Sequence, residues 1–194
     1  MSELKTLKLG ITIGDVNGIG PEVILKALMD KRILSSITPV IYGLDTALDH
    51  YKKRLELKEV DLFSVKDASS AKTGEINVIN VADTNIEIQE GKESIEAGKI
   101  AILALEKAAN DLSTGAIDVI VTAPISKSVC QKAGFEFPGH TEYFSSLSNG
   151  EEALMLLSSS VMKIALVTTH VALKEVSKNI DKKRIIEKAT TFNQ

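Results

Sequence analysis

Residues 8–22 read "KLGITIGDVNGIGPE". Lys8 to Gly14 has the look of a buried strand that ends in glycine. Gly14 to Glu22 then supplies Asp15, two further glycines at 18 and 20, and Pro21. Gly18 and Gly20 permit a tight turn with close backbone approach. Pro21 suits the first position of a helix, and apolar residues at helical spacing follow through "PEVILKALMDKRIL". Strand, glycine turn, helix is the opening of an α/β protein. The spacing is neither the dinucleotide fingerprint G-x-G-x-x-G nor a Walker loop, which ends in Gly-Lys-Ser/Thr. On spacing alone the glycines therefore serve a structural turn.

The rest of the chain repeats the alternation. "TPVIYG" (38–43), "INVINVAD", "IDVIVTAPI" and "KIALVTTH" are strand-like, the third of the fully buried kind, and "EALMLLSSS" precedes the fourth. "TALDHYKKRLEL" and "KESIEAGKIAILALEKAANDLSTG" are helical, the latter stopping at Gly115. "KEVSKNIDKKRIIEKATTFNQ" reads as a capped amphipathic helix running to the last residue, and "KDASSAKTGE" as a surface loop. This order predicts an α/β fold with a largely parallel sheet. The chain stops inside a helical pattern, which reads either as a terminal helix or as the sign of a fragment.

A net charge of -3 gives no electrostatic case for nucleic acid or an anionic membrane. No apolar run approaches the ~20 residues of a membrane helix, and the amino terminus enters a strand without a signal-peptide core. The single cysteine, Cys130, has no internal disulfide partner. The expected location is the cytoplasm, and Cys130 reads as a small apolar helix residue rather than a catalytic thiol.

In open α/β sheets ligands bind beyond the carboxyl ends of the strands. "GDVNGIGPE", "TAPISK" and "TTH" all fall there, which argues for one site. Asp15 can orient a ligand or cap its own turn. Ser126 can cap the next helix, and Lys127 suits a phosphate or carboxylate or simply faces solvent. "AGFEFPGHTEYF" (133–144) gathers aromatics around His140 and Thr141. As a lone histidine His140 is most simply a buried structural one. His170, ending "ALVTTH", is the better metal-ligand candidate, although a catalytic metal needs about three protein ligands. His50, in "LDHYKK", reads as a surface residue.

Together "GDVNGIGPE", "TAPISK", "AGFEFPGHTEYF" and "VTTHVALKEV", in this order, resemble the 4-hydroxythreonine-4-phosphate dehydrogenase family of vitamin B6 biosynthesis. The resemblance implies an isocitrate/isopropylmalate dehydrogenase-like fold: two α/β domains with a cleft between them, here truncated at the C-terminus. Residues 1–125 would be an incomplete first domain, and 126–194 the start of a second on the substrate, metal and dimer-interface side. It implies oxidation of 4-phosphooxy-L-threonine by NAD or NADP, then decarboxylation to 3-amino-2-oxopropyl phosphate, by a homodimer using a divalent metal (Zn, Mg or Co) held by three histidines. His140 and Thr141 match the family's substrate-binding pair, His170 its first metal histidine, and Asp15 and Lys127 join the substrate side. The remaining ligands and most of the nucleotide segment would lie beyond Gln194, leaving this chain inactive alone. Val16 and Asn17 depart from the family's usual Pro-Ala and read as lineage variation. Competing readings are a phosphate acyltransferase of related fold, needing no metal histidines, and a non-catalytic phosphometabolite-binding protein.

Overall fold

A computed structural model describes residues 6–148 and 153–193. They divide into two compact units, 1–140 and 141–194.

The first unit is built on five parallel strands: β1 (Leu7–Thr12), β2 (Ile37–Gly43), β3 (Leu62–Ser64), β4 (Ile76–Asn80) and β5 (Val119–Thr122). Their spatial order is β3-β4-β2-β1-β5, and every pairing is parallel. The predicted α/β class with a parallel sheet is thus observed. Helices α1 (Gly20–Leu28), α2 (Lys31–Ser36), α3 (Asp45–Arg54), α4 (Ile95–Ser113) and α5 (Lys127–Lys132) connect and cover the strands. The core gathers Ile11, Ile13, Leu25, Ile41, Leu48 and Ala104, all at most 6% exposed. A buried polar group also ties helix to sheet. Tyr42 Oη donates to Asp111 Oδ2 at 2.9 Å, and Lys107 Nζ donates to Oδ1 at 2.7 Å. Burial first, then the hydrogen bond and charge of Asp111, push the Tyr42 phenol well above its usual range.

Three elements differ from the sequence reading. The single helix expected over 21–34 is two. Asp30 adopts an extended backbone and its carboxylate accepts from Arg32 N at 3.0 Å, capping α2. β3 has no counterpart in the sequence reading; its three residues are too few for an alternating pattern to show. β5 is an edge strand, with Val119 37% and Val121 49% exposed. A β-branched run cannot by itself distinguish an edge from a centre. α5 packs on α4 within the first unit: a Cβ on Gly98 would lie 2.8 Å from Val129 and 3.1 Å from Ala133.

The second unit contains most of α6 (His140–Leu147), a two-stranded antiparallel ribbon of β6 (Leu156–Ser158) and β7 (Lys163–Ala165), and α7 (Lys182–Phe192). β7 ends at Ala165, so Thr168, Thr169 and His170 lie past the strand rather than on its end. The helix expected from Lys174 onward is a 3-10 segment, Leu173–Asn179, followed by α7, which Asp181 caps through Arg184 N at 2.8 Å. Glu152, the first residue of "EALMLLSSS", and Gln194 lie outside the described residues. Leu156, Leu157, Ile185 and Ile186 are all 46% or more exposed. Among its described residues this unit buries little apolar surface, as expected for so short a segment.

Candidate functional site

The chain leaves β1 in one direction to make β2, β3 and β4, then returns through α4 to lay β5 on the other side of β1. Outside the carboxyl ends of β1 and β5, the direction of strand addition reverses. In an open parallel sheet neighbouring connections part at such a point, and it is the usual position for a ligand. "GDVNGIGPE" leaves β1 at this point and "TAPISK" leaves β5.

Close backbone contact joins these two segments. Asp15 N donates to Pro124 O at 2.9 Å. Gly14 has φ +70, and a Cβ there would lie 2.4 Å from Pro124 O. Only glycine fits both the conformation and the approach. Gly20 begins α1 where a Cβ would meet Ile13 O at 2.6 Å. Asp15 Oδ1 accepts from Asn17 N at 2.9 Å, so part of this carboxylate caps its own turn. Among the described residues its other oxygen carries no hydrogen bond.

Two more supports hold the turn. Tyr51 on α3 is buried, and its hydroxyl faces Val16 O at 2.9 Å and Gly18 O at 3.1 Å. Burial, reinforced by the charge of Glu90, pushes this phenol up to about 12. Asn17 is 3% exposed. Its Nδ2 donates to Lys92 O at 3.1 Å, its Oδ1 accepts from Gln89 N at 2.9 Å, and its carbonyl accepts from Gly91 N at 2.8 Å. An alanine could keep only the last bond. Asn17 is therefore a latch on the loop before α4, not a neutral variation. Asparagine in a glycine turn is unremarkable, and nothing in the sequence points to partners more than seventy residues away.

On the β5 side, Ser126 caps α5 by accepting from Val129 N at 3.4 Å, as predicted. Lys127, the first helical residue, is exposed and has no hydrogen-bond or ion-pair partner among the described residues. Cys130 on the same helix is buried, and burial, then the charge of Asp15, raises its thiol. That suits the inert role expected of it. His140, half-buried at the start of α6, titrates below its ordinary value, chiefly through burial and then through the positive charge of Lys127. The structure thus brings Lys127 and His140 within electrostatic reach of each other and places Asp15 beside α5. Thr141 follows His140 and is exposed.

The His140 shift has a testable sign. A folded histidine below its unfolded value of about 6.5 takes up its proton later than the unfolded chain does. It therefore lowers stability as pH falls through that range, and it is neutral at pH 7. In Lys127→Met the His140 midpoint, followed by NMR of the imidazole, should rise part of the way towards 6.5. Burial should hold back the remainder. An unmoved midpoint would show that the lysine charge does not reach the ring.

His170 belongs to the second unit. It is exposed, with a backbone φ of 55 that is unusual for a residue other than glycine. Among the described residues no group of three or more His, Cys, Asp or Glu could hold a metal ion. His170 fits one coordination position, and the described residues do not complete a three-histidine site. His50 is not a bare surface residue: its Nε2 lies 3.1 Å from Glu90 Oε1, which also meets Arg54 at 3.0 Å.

The model of the family described as pyridoxal phosphate biosynthetic protein PdxA matches residues 35–194. A 4-hydroxythreonine-4-phosphate dehydrogenase of Bacteroides thetaiotaomicron is 41% identical over 193 residues, 99% of this chain and 53% of that protein. A D-threonate 4-phosphate dehydrogenase of Pectobacterium atrosepticum is 31% identical, over 95% of this chain and 58% of its own. A crystal structure of a 4-hydroxythreonine-4-phosphate dehydrogenase from Burkholderia phymatum superposes with TM-score 0.87 at 27% identity, covering 95% of this chain and 56% of that one. The chain spans about half the length of the curated relatives it matches. No helix among the described residues is long and apolar enough to cross a membrane. With four-fifths of its residues under one family model and its strand-end motifs gathered at the reversal point of a parallel sheet, the chain belongs to the PdxA family of pyridoxal phosphate biosynthetic proteins.

Proposed function

We propose that this chain supplies the amino-terminal part of an oxidoreductase of vitamin B6 biosynthesis. The enzyme oxidises 4-phosphooxy-L-threonine with NAD or NADP, and the product decarboxylates to 3-amino-2-oxopropyl phosphate. The observation that carries this reading is the direct bond between the segments that follow β1 and β5, Asp15 N to Pro124 O at 2.9 Å, at the reversal point of the sheet, in a chain 41% identical to a dehydrogenase of that name. Lys127, a cation without a partner among the described residues, suits the substrate's phosphate or carboxylate. Neutral His140 and the hydroxyl of Thr141 offer one donor each to its polar groups. The free oxygen of Asp15 can orient the ligand from the β1 side.

The wider reading retains an isocitrate dehydrogenase-like two-domain architecture, with 1–125 in the first domain and 126–194 opening the second, a homodimer and a cytoplasmic location. A divalent metal (Zn, Mg or Co), with His170 as one ligand, would polarise the substrate's oxygen. The nicotinamide would take the hydride. The names borne by the relatives leave two phosphorylated hydroxy acids as candidate substrates, and the assay must offer both. Purified protein of natural length should reduce NAD or NADP with 4-phosphooxy-L-threonine faster than with D-threonate 4-phosphate. The 194-residue chain alone should show no turnover. A reversed preference would reassign the substrate. Turnover by the 194-residue species would overturn the proposal that further segments complete the site, and reduction with neither compound would overturn the function.

A further inference from the structure

The loop latched by Asn17 continues one residue further to Glu93, and this residue reaches the other side of the site. Glu93 Oε1 accepts from Ser128 Oγ at 2.7 Å and from Ser126 Oγ at 3.3 Å, while Oε2 lies 3.3 Å from Lys132 Nζ. All three donors are on α5 or its cap, and Ser126 and Ser128 flank Lys127. The hydrogen bonds of Ser128 and Lys132, then the charge of Lys132, lower the Glu93 carboxyl below its usual range. α5 has six residues, too few to be stable on local hydrogen bonds alone. Val129 and Cys130 bury one face of it. That packing sets its distance from α4, and Glu93 adds bonds to the two serines beside Lys127; the Glu93 backbone is held because Asn17 bonds Gln89, Gly91 and Lys92.

We propose that Glu93, held by Asn17, is a positioning residue that aims Lys127 into the site. The proposal rests on the assignment of Lys127 to substrate binding. In this arrangement the turn after β1 and the helix after β5 are joined by two devices. One is the direct Asp15–Pro124 bond. The other is the bridge Asn17–loop–Glu93–α5. The bridge matters because lysine is a flexible cation with many rotamers. With no partner among the described residues, its reach is set by where its backbone stands.

The test is a double-mutant cycle in protein of natural length, with KM and kcat measured separately for the phosphorylated substrate. Lys127→Met should raise KM. Glu93→Ala should raise KM about three- to tenfold, the effect of losing hydrogen bonds of ordinary strength, with kcat nearly unchanged. Glu93→Gln keeps an oxygen for the two serines and loses only an exposed ion pair, so KM should stay within about twofold of the parent. The double variant Glu93→Ala/Lys127→Met should be no worse than Lys127→Met, because Glu93 acts only through the lysine. The His140 imidazole NMR signal should move in Glu93→Ala in the same direction as in Lys127→Met. If Glu93→Ala does not fold, Ser128→Ala removes the shortest of these bonds from the helix side, leaves the Ser126 cap in place, and takes its place in the cycle.

If Lys127→Met raises KM while Glu93→Ala does not, or if the two effects multiply, the positioning role is overturned and the substrate assignment stands. If Lys127→Met leaves KM unchanged, the assignment of Lys127 fails and the proposal fails with it.

Discussion

Gly14→Ala should lose about 2–5 kcal/mol of stability to urea, the sum of a left-handed backbone imposed on a residue with a side chain and of overpacking against a fixed carbonyl. The methyl would sit 2.4 Å from Pro124 O. That oxygen belongs to backbone and cannot turn aside like a side chain. Relief requires the two segments to part, which breaks the Asp15–Pro124 hydrogen bond. The control is Gly91→Ala. Gly91 has a similar φ of +75 but nothing within 4 Å of its missing Cβ. It should therefore cost only the conformational part, about 1–2 kcal/mol. Equal losses at the two sites would show that the approach of β1 and β5 segments carries no energy of its own. Since domains of this size are stable by about 5–15 kcal/mol, the larger loss should leave the Gly14 variant near its unfolding threshold.

His140→Ala in protein of natural length should lower kcat/KM by roughly ten- to a hundredfold, the loss of a hydrogen bond to a charged group of the substrate. Stability should change by no more than about 1 kcal/mol, because the ring is half-buried and its titration shows no strong partner in the fold. Steady-state kinetics beside a urea melt separates the two quantities. A variant with the parent's kcat/KM would return His140 to the role of a structural histidine. A variant that lost both stability and activity in proportion would make its effect one of folding. The two variants contrast a residue that holds the β1 and β5 segments together with one proposed to contact the substrate.

The alternation of strand and helix was readable because buried parallel strands and amphipathic helices leave different periods in the sequence. "KLGITIGDVNGIGPE" announced its strand, turn and helix because glycine and proline restrict backbone in ways that few other residues do. Ser126 as a cap and Gly115 as a stop, at φ +72, followed from the same local chemistry. The site candidates Asp15, Lys127, His140, Thr141 and His170 came from their places at strand ends and from motif resemblance. Both are properties of a linear chain. Strand order is a different matter. Nothing in "IDVIVTAPI" says that it lies on the outer side of β1, yet that placement creates the reversal point and exposes Val119 and Val121. The division of one expected helix at Asp30 and the early end of β7 at Ala165 likewise depended on a few residues choosing a cap or a turn over continuation. Asn17 shows the limit most clearly. By itself it is a polar residue in a turn. Its function as a latch exists only because folding brings Gln89 and Lys92 to its amide, and with them Glu93 to the serines beside Lys127. Hydrogen-bond partners distant in sequence leave no periodic trace, so only the tertiary structure could decide them.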